Sequence, residues 1–232
     1  MKKIINLLLA AMLVLALVAC GGQQEEQTED ADISAESEVI AESETSAESD
    51  GPMIPVSEDN AQTAWLPKGT SIALSETEKL PELEDAIAAY YDIPEESREG
   101  HRYYYSYVDL NDDGKEEIFA VVMGMYTSGS GGDSGLLLLP YAGMSVSQNF
   151  TLLRTPILVS DNVTDGAHDL IFLRSGGGSE PQLVRLTCTD GVYVNPSDAE
   201  VLENLDGITG TAILGNDLIA DMSAGTYLTL AK

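Results

Sequence analysis

Residues 23–60 limit what this chain can fold into more than any other stretch of its 232 residues. They are mainly Glu, Ser, Ala, Asp, Thr and Gln, include no aromatic or basic residue, and hold 13 of the 39 acidic residues. A segment with so little apolar surface cannot offset the entropy lost on ordering, so we expect it to stay disordered. The sequence therefore predicts an acidic linker at 20–64 and one globular domain at 65–232, where aromatic, glycine and β-branched residues begin.

The excess of acidic residues restricts the partners of the protein. The formal net charge is −28, and residues 61–232 alone carry 26 acidic against 9 basic side chains. Phosphates of nucleic acids and anionic lipid surfaces repel such a chain, so we expect neither as a partner. Only two cysteines are present, Cys20 and Cys188, which is too few for a disulfide framework.

The N-terminus has the features of a secretory signal. Lys2 and Lys3 precede an apolar run at 4–18, which is about 15 residues long and shorter than the ~20 needed to span a bilayer. Residues 17–20, Leu-Val-Ala-Cys, resemble the lipobox of bacterial lipoproteins. The resemblance implies a signal peptide at 1–19, a diacylglycerol thioether on Cys20, and an anchor on the extracytoplasmic face of the cell membrane. The alternative is an ordinary cleaved signal with an incidental cysteine.

The residues after the linker predict an α+β fold built mainly on antiparallel sheet. Leu83, Ile87, Tyr90 and Tyr91 recur at helical spacing after Pro81, which predicts one amphipathic helix near 80–91. Alternating and β-branched segments separated by Gly, Asn, Asp and Ser predict the strands that follow. These lie at 103–108, 117–125, 135–140, 151–159, 169–173, 182–187 and 192–194, with two more at 211–214 and 227–230.

The most suggestive chemistry lies in residues 109–119. Oxygen-bearing side chains alternate at Asp109, Asn111 and Asp113 before a glycine, an arrangement that suits calcium. The helix–loop–helix calcium motif requires Glu at its twelfth position, where this chain has Ala120, so that motif is excluded. The segment instead resembles the strand-flanked Asp-x-Asn-x-Asp-Gly loops of integrin-type extracellular β repeats. We take Asp109, Asn111, Asp113 and Glu117 as candidate calcium ligands, against the alternative of a polar hairpin turn.

A second copy of this pattern occupies residues 161–171. Val163 stands where the first copy has Asn111, which breaks the alternation of oxygens and weakens the case for calcium. The repeat allows an architecture of two related halves, each with a turn followed by a strand.

A glycine-rich segment follows each acidic turn, at 128–135 and 175–179. Neither has the spacing of a phosphate-binding loop. Residues 132–135, Gly-Asp-Ser-Gly, match the local signature of chymotrypsin-like nucleophiles, but His101 and His168 do not lie in the context of that family. We therefore expect no catalytic residue here. Two histidines and Cys188 are also too few for a zinc site.

Tyrosines at 103–105 and 107 fall on both faces of a predicted strand. One set could line a groove for sugar or peptide, while the alternative is a half-buried strand of the core.

Residues 104–119, 126–139, 150–172 and 175–197 resemble a group of small uncharacterised extracytoplasmic bacterial lipoproteins. The shared order includes the Asp-x-Asn-x-Asp-Gly turn, the Gly-Ser-Gly-Gly hairpin, a Thr-Pro-Ile strand and an Asp-Gly-x-Tyr-x-x-Asn-Pro-Ser end. The resemblance implies the fold and the location and brings no established activity. We expect a lipid-anchored module without catalysis that binds a protein or carbohydrate and is stabilised by calcium. The alternatives are a hydrolase of envelope or extracellular polymers that uses acidic residues, and a purely structural or inhibitory surface protein.

Overall fold

The computed structural model describes residues 53–55, 62–127, 132–176 and 178–231, which all belong to one unit at 44–232. The predicted signal peptide, Cys20 and most of the predicted linker lie outside these residues. No helix among the described residues has the length and apolar character needed to cross a bilayer.

The described residues form mostly antiparallel β-structure with few helices, as the sequence predicts. The helices are α1 (Pro81–Tyr90) and α2 (Leu218–Ala224), with 3-10 turns at Glu95–Gly100 and Pro140–Ala142. The strands are β1 (Met53–Pro55), β2 (Ser71–Ala73), β3 (Arg102–Val108), β4 (Glu117–Met123), β5 (Asp133–Leu139), β6 (Ser145–Thr164), β7 (Ala167–Arg174), β8 (Gln182–Leu186), β9 (Cys188–Thr189), β10 (Val192–Tyr193), β11 (Glu200–Val201), β12 (Gly210–Ile213) and β13 (Leu228–Thr229).

The strands join into one branched sheet with β6 at the branch. β13, β3, β4, β5 and β6 lie side by side and are antiparallel throughout. β6 also pairs with β7 and β12, and these lead to β8 and β11 on one side and to β2 and β1 on the other. The pairing of β12 with β2 is parallel, and β9 and β10 form a separate hairpin.

β6 is 20 residues long and belongs to both parts of the sheet. The first part consists of β13, β3, β4, β5 and the first half of β6, and the second part consists of the second half of β6 with the strands that branch from it. Its first half pairs with β5 as far as Leu153, and its second half pairs with β7 from Leu153 to Thr164. Leu152 has a left-handed backbone (φ +62°), and the register with β7 shifts between Arg154 and Leu158. The sequence predicts a strand only at 151–159, because residues 145–149 are mostly polar and give little strand signal.

Two faces of the first part of the sheet are buried in different cores. Alternate residues of β3 and β4, such as Tyr104 and Phe119, point into a core shared with β7 and β8. The residues between them point to the other face, where α1 packs through Leu83 and Ile87 onto Tyr103. A third cluster, around Ile72 and Ile171, lies on the face of β7 opposite to the shared core.

Some of the described residues lie before the boundary predicted at residue 65. Residues Met53–Pro55 extend the sheet by pairing with β2. The Gln62 side chain donates to the Thr155 hydroxyl (3.0 Å), and Thr63 is buried. The composition of the linker hides this region, because strand pairing uses backbone groups that any residue offers. The boundary between the linker and the domain at residues 64 and 65 stays a prediction.

Candidate functional site

The first acidic turn connects β3 to β4 and is held by its own side chains. Asp109 accepts backbone N–H bonds from Asn111 (3.3 Å), Asp113 (3.2 Å) and Gly114 (2.7 Å). Asn111 accepts from the Asp113 N–H (3.1 Å), and Asp113 accepts from the Lys115 N–H (2.8 Å). Gly114 has φ +77°, a conformation that glycine adopts without steric cost. The spacing of oxygens seen in the sequence thus builds a rigid turn.

Glu117 supports this turn from inside the protein. Its side chain is buried, and it accepts the Leu110 N–H (3.0 Å) and the Tyr141 hydroxyl (2.7 Å). The bond to Glu117, with a smaller contribution from burial, raises the pKa of Tyr141 to about 12. The Lys115 ammonium lies over the Tyr141 ring, 5.5 Å from its centre. Glu117 therefore fixes the base of the turn and does not face solvent with the other candidate ligands.

The four candidate calcium ligands occupy two different environments. Asn111 and Asp113 are exposed and Asp109 is half-buried, whereas Glu117 lies beneath them. Within the described ranges, no three His, Cys, Asp or Glu side chains are grouped so that they could hold a metal ion. Calcium at this turn stays a prediction.

The second acidic turn is the hairpin between β6 and β7. Asp165 and Gly166 both have positive φ (52° and 81°), as a two-residue type I′ turn requires. Asp165 accepts the Asp190 N–H (2.6 Å), and Asp161 accepts the Thr209 hydroxyl (2.5 Å). Each carboxylate thus bonds to a different neighbouring loop, and the two accept from no common donor in these bonds.

His168 joins the two acidic turns. Its backbone N–H donates to the Leu110 carbonyl (2.8 Å), its Nδ1 lies 2.7 Å from the Ser160 carbonyl, and its Nε2 lies 3.2 Å from Asp112 Oδ1. Because both ring nitrogens face acceptors, only the imidazolium form can donate at both. Burial of the ring lowers the pKa of His168, but the bonds to Asp112 and Ser160 and the charge of Asp161 outweigh it and raise the pKa overall.

We use the name acidic platform for the carboxylates of Asp109, Asp112, Asp113 and Asp161, which belong to the two turns that this contact joins. The charges of Asp112 and Asp161 help to raise the pKa of His168. Asp109 and Asp113 belong to the first turn, where Asp109 accepts the Asp113 N–H. The sequence shows both turns, but it does not show that they meet. A backbone bond between residues 110 and 168 is set by the topology of β4–β7 and leaves no local signal.

His101 has the opposite arrangement. Its Nδ1 lies 2.8 Å from the Ser97 carbonyl, while its Nε2 accepts the backbone N–H of Tyr126 (3.2 Å). One acceptor and one donor are satisfied by the neutral ring with its proton on Nδ1. The ring is almost fully buried and packs on Gly124. His101 is a structural residue at the start of β3.

Ser134, in the segment that matches a protease signature, has a structural role too. It is buried, and its hydroxyl donates to the Thr127 carbonyl. Neither histidine bonds to it in the described structure. Burial raises the pKa of Asp133, although Arg154, 3.6 Å away, and Arg102 oppose the shift. These contacts do not assemble a nucleophile, base and orienting acid.

The tyrosines of β3 belong to the core. Tyr103 and Tyr105 stack at 6.1 Å on the face covered by α1, and Tyr104 is buried on the opposite face. The Tyr103 hydroxyl donates to Glu84 (2.8 Å) and the Tyr105 hydroxyl to the Glu78 carbonyl (2.9 Å). The alternative of a tyrosine-lined groove on β3 is therefore wrong.

Cys188 is also buried. It is a free thiol, and its burial raises its pKa.

No family model, no curated protein and no solved structure matches the chain.

Proposed function

We propose that this chain is a lipid-anchored binding module on the extracytoplasmic face of the cell membrane, and that its acidic platform receives a cationic ligand. The observation that carries the proposal is the contact of His168 with Asp112 and with the Leu110 carbonyl, which locks two exposed acidic turns together. Fixed carboxylates bind a cation without the entropy cost of ordering mobile side chains.

Calcium is the cation that we propose for the first turn. The Asp109 oxygens already accept backbone N–H bonds, but each carboxylate oxygen has more than one lone pair, so binding an ion does not require the turn to open. Asp113 Oδ2 lies 3.4 Å from the Lys115 ammonium, which the ion would displace. Asp109, Asn111 and Asp113 would be the ligands, with Glu117 as support.

Thermal unfolding of the purified full chain tests the cation. We expect about 1 mM calcium to raise the melting temperature of the parent but not that of an Asp109→Asn, Asp113→Asn double variant. Glu203→Gln removes an exposed acidic residue elsewhere and should keep the response. An equal rise in parent and double variant, or none in the parent, contradicts calcium at this turn.

The anchor is tested separately by cell fractionation. Two acyl chains hold a protein stably where one chain does not, so Cys20→Ser should be lost from the membrane fraction. Cys188→Ser is the matched control, because Cys188 is the buried free thiol of the domain and has no part in the proposed processing. Retention of Cys20→Ser at the level of the control would contradict the anchor.

The hydrolase alternative stays a prediction. Such an enzyme needs two carboxylates across a cleft. Two of the buried carboxylates, Glu84 and Glu117, accept hydroxyl bonds from Tyr103 and Tyr141.

We also propose that the α+β domain consists of two related halves. In the first, a turn leads into β4 and a glycine-rich segment precedes β5. In the second, a turn leads into β7 and a glycine-rich segment precedes β8. The matching order of these elements supports an internal duplication.

A further inference from the structure

Three of the five arginines lie at one edge of the sheet, formed by the ends of its strands that point away from the acidic platform. Arg102 begins β3 and Arg174 ends β7, whereas the acidic turns lie at the opposite ends of these strands. Leu153 pairs with both Asp133 and Arg174, which places Arg154 next to this row. The charges of Arg102 and Arg154 both act on Asp133. The edge thus carries three of the positive charges of an acidic domain, and the charge of Arg154 is paired with Asp133 (3.6 Å).

A groove of ≈ 240 Å³ opens beside Arg174 at this edge. Most of its lining residues have polar side chains, and they include Leu152, Arg174, Ser175, Ser179, Glu180 and Gln182. The volume is smaller than the ~300–1,000 Å³ of sites for drug-sized ligands, so a ligand here has to be small.

Arg174 is held in place by neutral acceptors. Its Nη1 donates to the carbonyls of Pro196 (2.7 Å) and Ser197 (3.0 Å), and its Nη2 donates to Gln182 Oε1 (2.5 Å). Three bonds leave two of its five N–H donors. Among the described residues, no carboxylate lies within 4.0 Å of its guanidinium, whereas Arg98, Arg154 and Arg185 each have such a partner. Arg174 therefore presents a fixed positive charge that the protein does not neutralise by contact.

Ser175, the residue after Arg174, bonds to a second arginine, Arg154. Its hydroxyl oxygen accepts the Arg154 Nε–H (2.9 Å), and its hydroxyl hydrogen can still donate to a ligand, since Ser175 lines the groove. A fixed guanidinium beside a hydroxyl donor suits a carboxylate. Glu180, exposed on the same groove, supplies a negative charge that favours an ammonium group on the same ligand.

We propose that this groove binds a small zwitterion, an amino acid or short peptide. Its carboxylate is held by Arg174 and Ser175, and its amino group faces Glu180. The site is distinct from the acidic platform, so the Asp109→Asn, Asp113→Asn double variant should bind the zwitterion as the parent does.

Calorimetric titration of the full chain with three probes tests the assignment of charges. Alanyl-alanine carries both groups, N-acetyl-alanine lacks the amine, and alanine amide lacks the carboxylate. We expect a Kd of about 1 mM for alanyl-alanine and binding at least about tenfold weaker for each of the other two. No binding of alanyl-alanine at about 10 mM, or equal binding of either truncated probe, overturns the proposal.

A pair of variants at Ser179 tests the location. The only bond of Ser179 is its backbone N–H to the Gly176 carbonyl (3.1 Å), so its side chain can change without loss of a contact among the described residues. Ser179→Phe fills the groove and should weaken alanyl-alanine binding by at least about tenfold, whereas Ser179→Ala should stay within about twofold of the parent. Parent-like binding by Ser179→Phe with an unchanged melting temperature places the ligand elsewhere and overturns the site.

Discussion

His168 Nε2 lies 3.2 Å from Asp112 Oδ1, and this contact ties the turn after β3 to the hairpin between β6 and β7. The two residues are 56 positions apart, and each belongs to one copy of the repeated acidic pattern. Since the other ring nitrogen faces the Ser160 carbonyl, the contact is complete only when His168 is protonated.

The free energy of unfolding should therefore decrease as the pH rises and His168 loses its proton. Its pKa is raised in the folded protein, so its contribution is full below the unfolded value of about 6.5 and is lost as pH rises through the folded pKa. We expect a loss of about 1 kcal/mol in the free energy of unfolding across that window. Asp112→Asn should remove the loss, because Asn can donate to the neutral ring and tolerates the positive φ of residue 112.

Urea unfolding of parent and Asp112→Asn at pH values below and above this window measures the effect. Glu203→Gln serves as the control for the change in net charge and should behave as the parent does. The interpretation fails if Asp112→Asn and the parent lose stability in parallel.

The part-buried bond between Glu117 and Tyr141 should be measurable as a coupling energy. Glu117→Gln is expected to destabilise the protein by about 2 kcal/mol, because it weakens charge-assisted bonds to the Leu110 N–H and the Tyr141 hydroxyl. Tyr141→Phe should cost about 1 kcal/mol. A double-mutant cycle by urea unfolding should give a coupling of at least about 0.5 kcal/mol, and strict additivity would mean that the bond contributes nothing.

Gly124 has no room for a side chain. A Cβ built there would lie 2.1 Å from Cδ2 of His101, whose ring is held by bonds at both nitrogens. We expect Gly124→Ala to lower the free energy of unfolding by about 1–3 kcal/mol. Gly100→Ala, where a Cβ meets nothing within 4 Å, should change it by less than about 0.5 kcal/mol. Equal effects of the two substitutions in thermal unfolding would contradict the packing described for His101.

The Tyr103 hydroxyl should be essential to the buried Glu84. Glu84 is a buried residue of α1, and its carboxylate accepts the Tyr103 hydroxyl at 2.8 Å and lies 3.4 Å from the Lys79 ammonium. Tyr103→Phe removes one of these and should cost about 1–3 kcal/mol by chemical denaturation. Tyr90→Phe changes an exposed tyrosine of the same helix and should be close to neutral. A neutral Tyr103→Phe would mean that Glu84 does not depend on the bond.

The strands that can be predicted from the sequence are those with a strong local pattern. β3, β4 and β7 carry β-branched and aromatic residues bounded by turn residues, and they lie within a few residues of their predicted limits. Among the two- and three-residue strands, β10 and β13 fall within predicted strands, but four others carry no such pattern. β1, β2, β9 and β11 have two or three residues each, and their pairing is decided by neighbours far along the chain.

The helix α2 was missed for a similar reason. It has seven residues, and its first-turn N–H groups at Ile219 and Ala220 are capped by Asp217 (3.1 and 3.0 Å). The cap residue is visible in the sequence, but so short a helix shows no complete apolar face, so nothing distinguishes Asp217 from an ordinary loop aspartate.

By itself, the sequence determined the charge of the chain, the predominance of antiparallel strands, and the conformations of the turns at Asp109 and Asp165. These properties depend on residues within a few positions of each other, whose side chains bond their own backbone or alternate in polarity. The tertiary structure alone decided that Glu117 turns inward to Tyr141, that the two histidines have opposite requirements for a proton, and that Arg174 faces a groove. Each of these depends on which distant acceptors and donors the sheet brings within about 3 Å, and no local spacing in the chain encodes that distance.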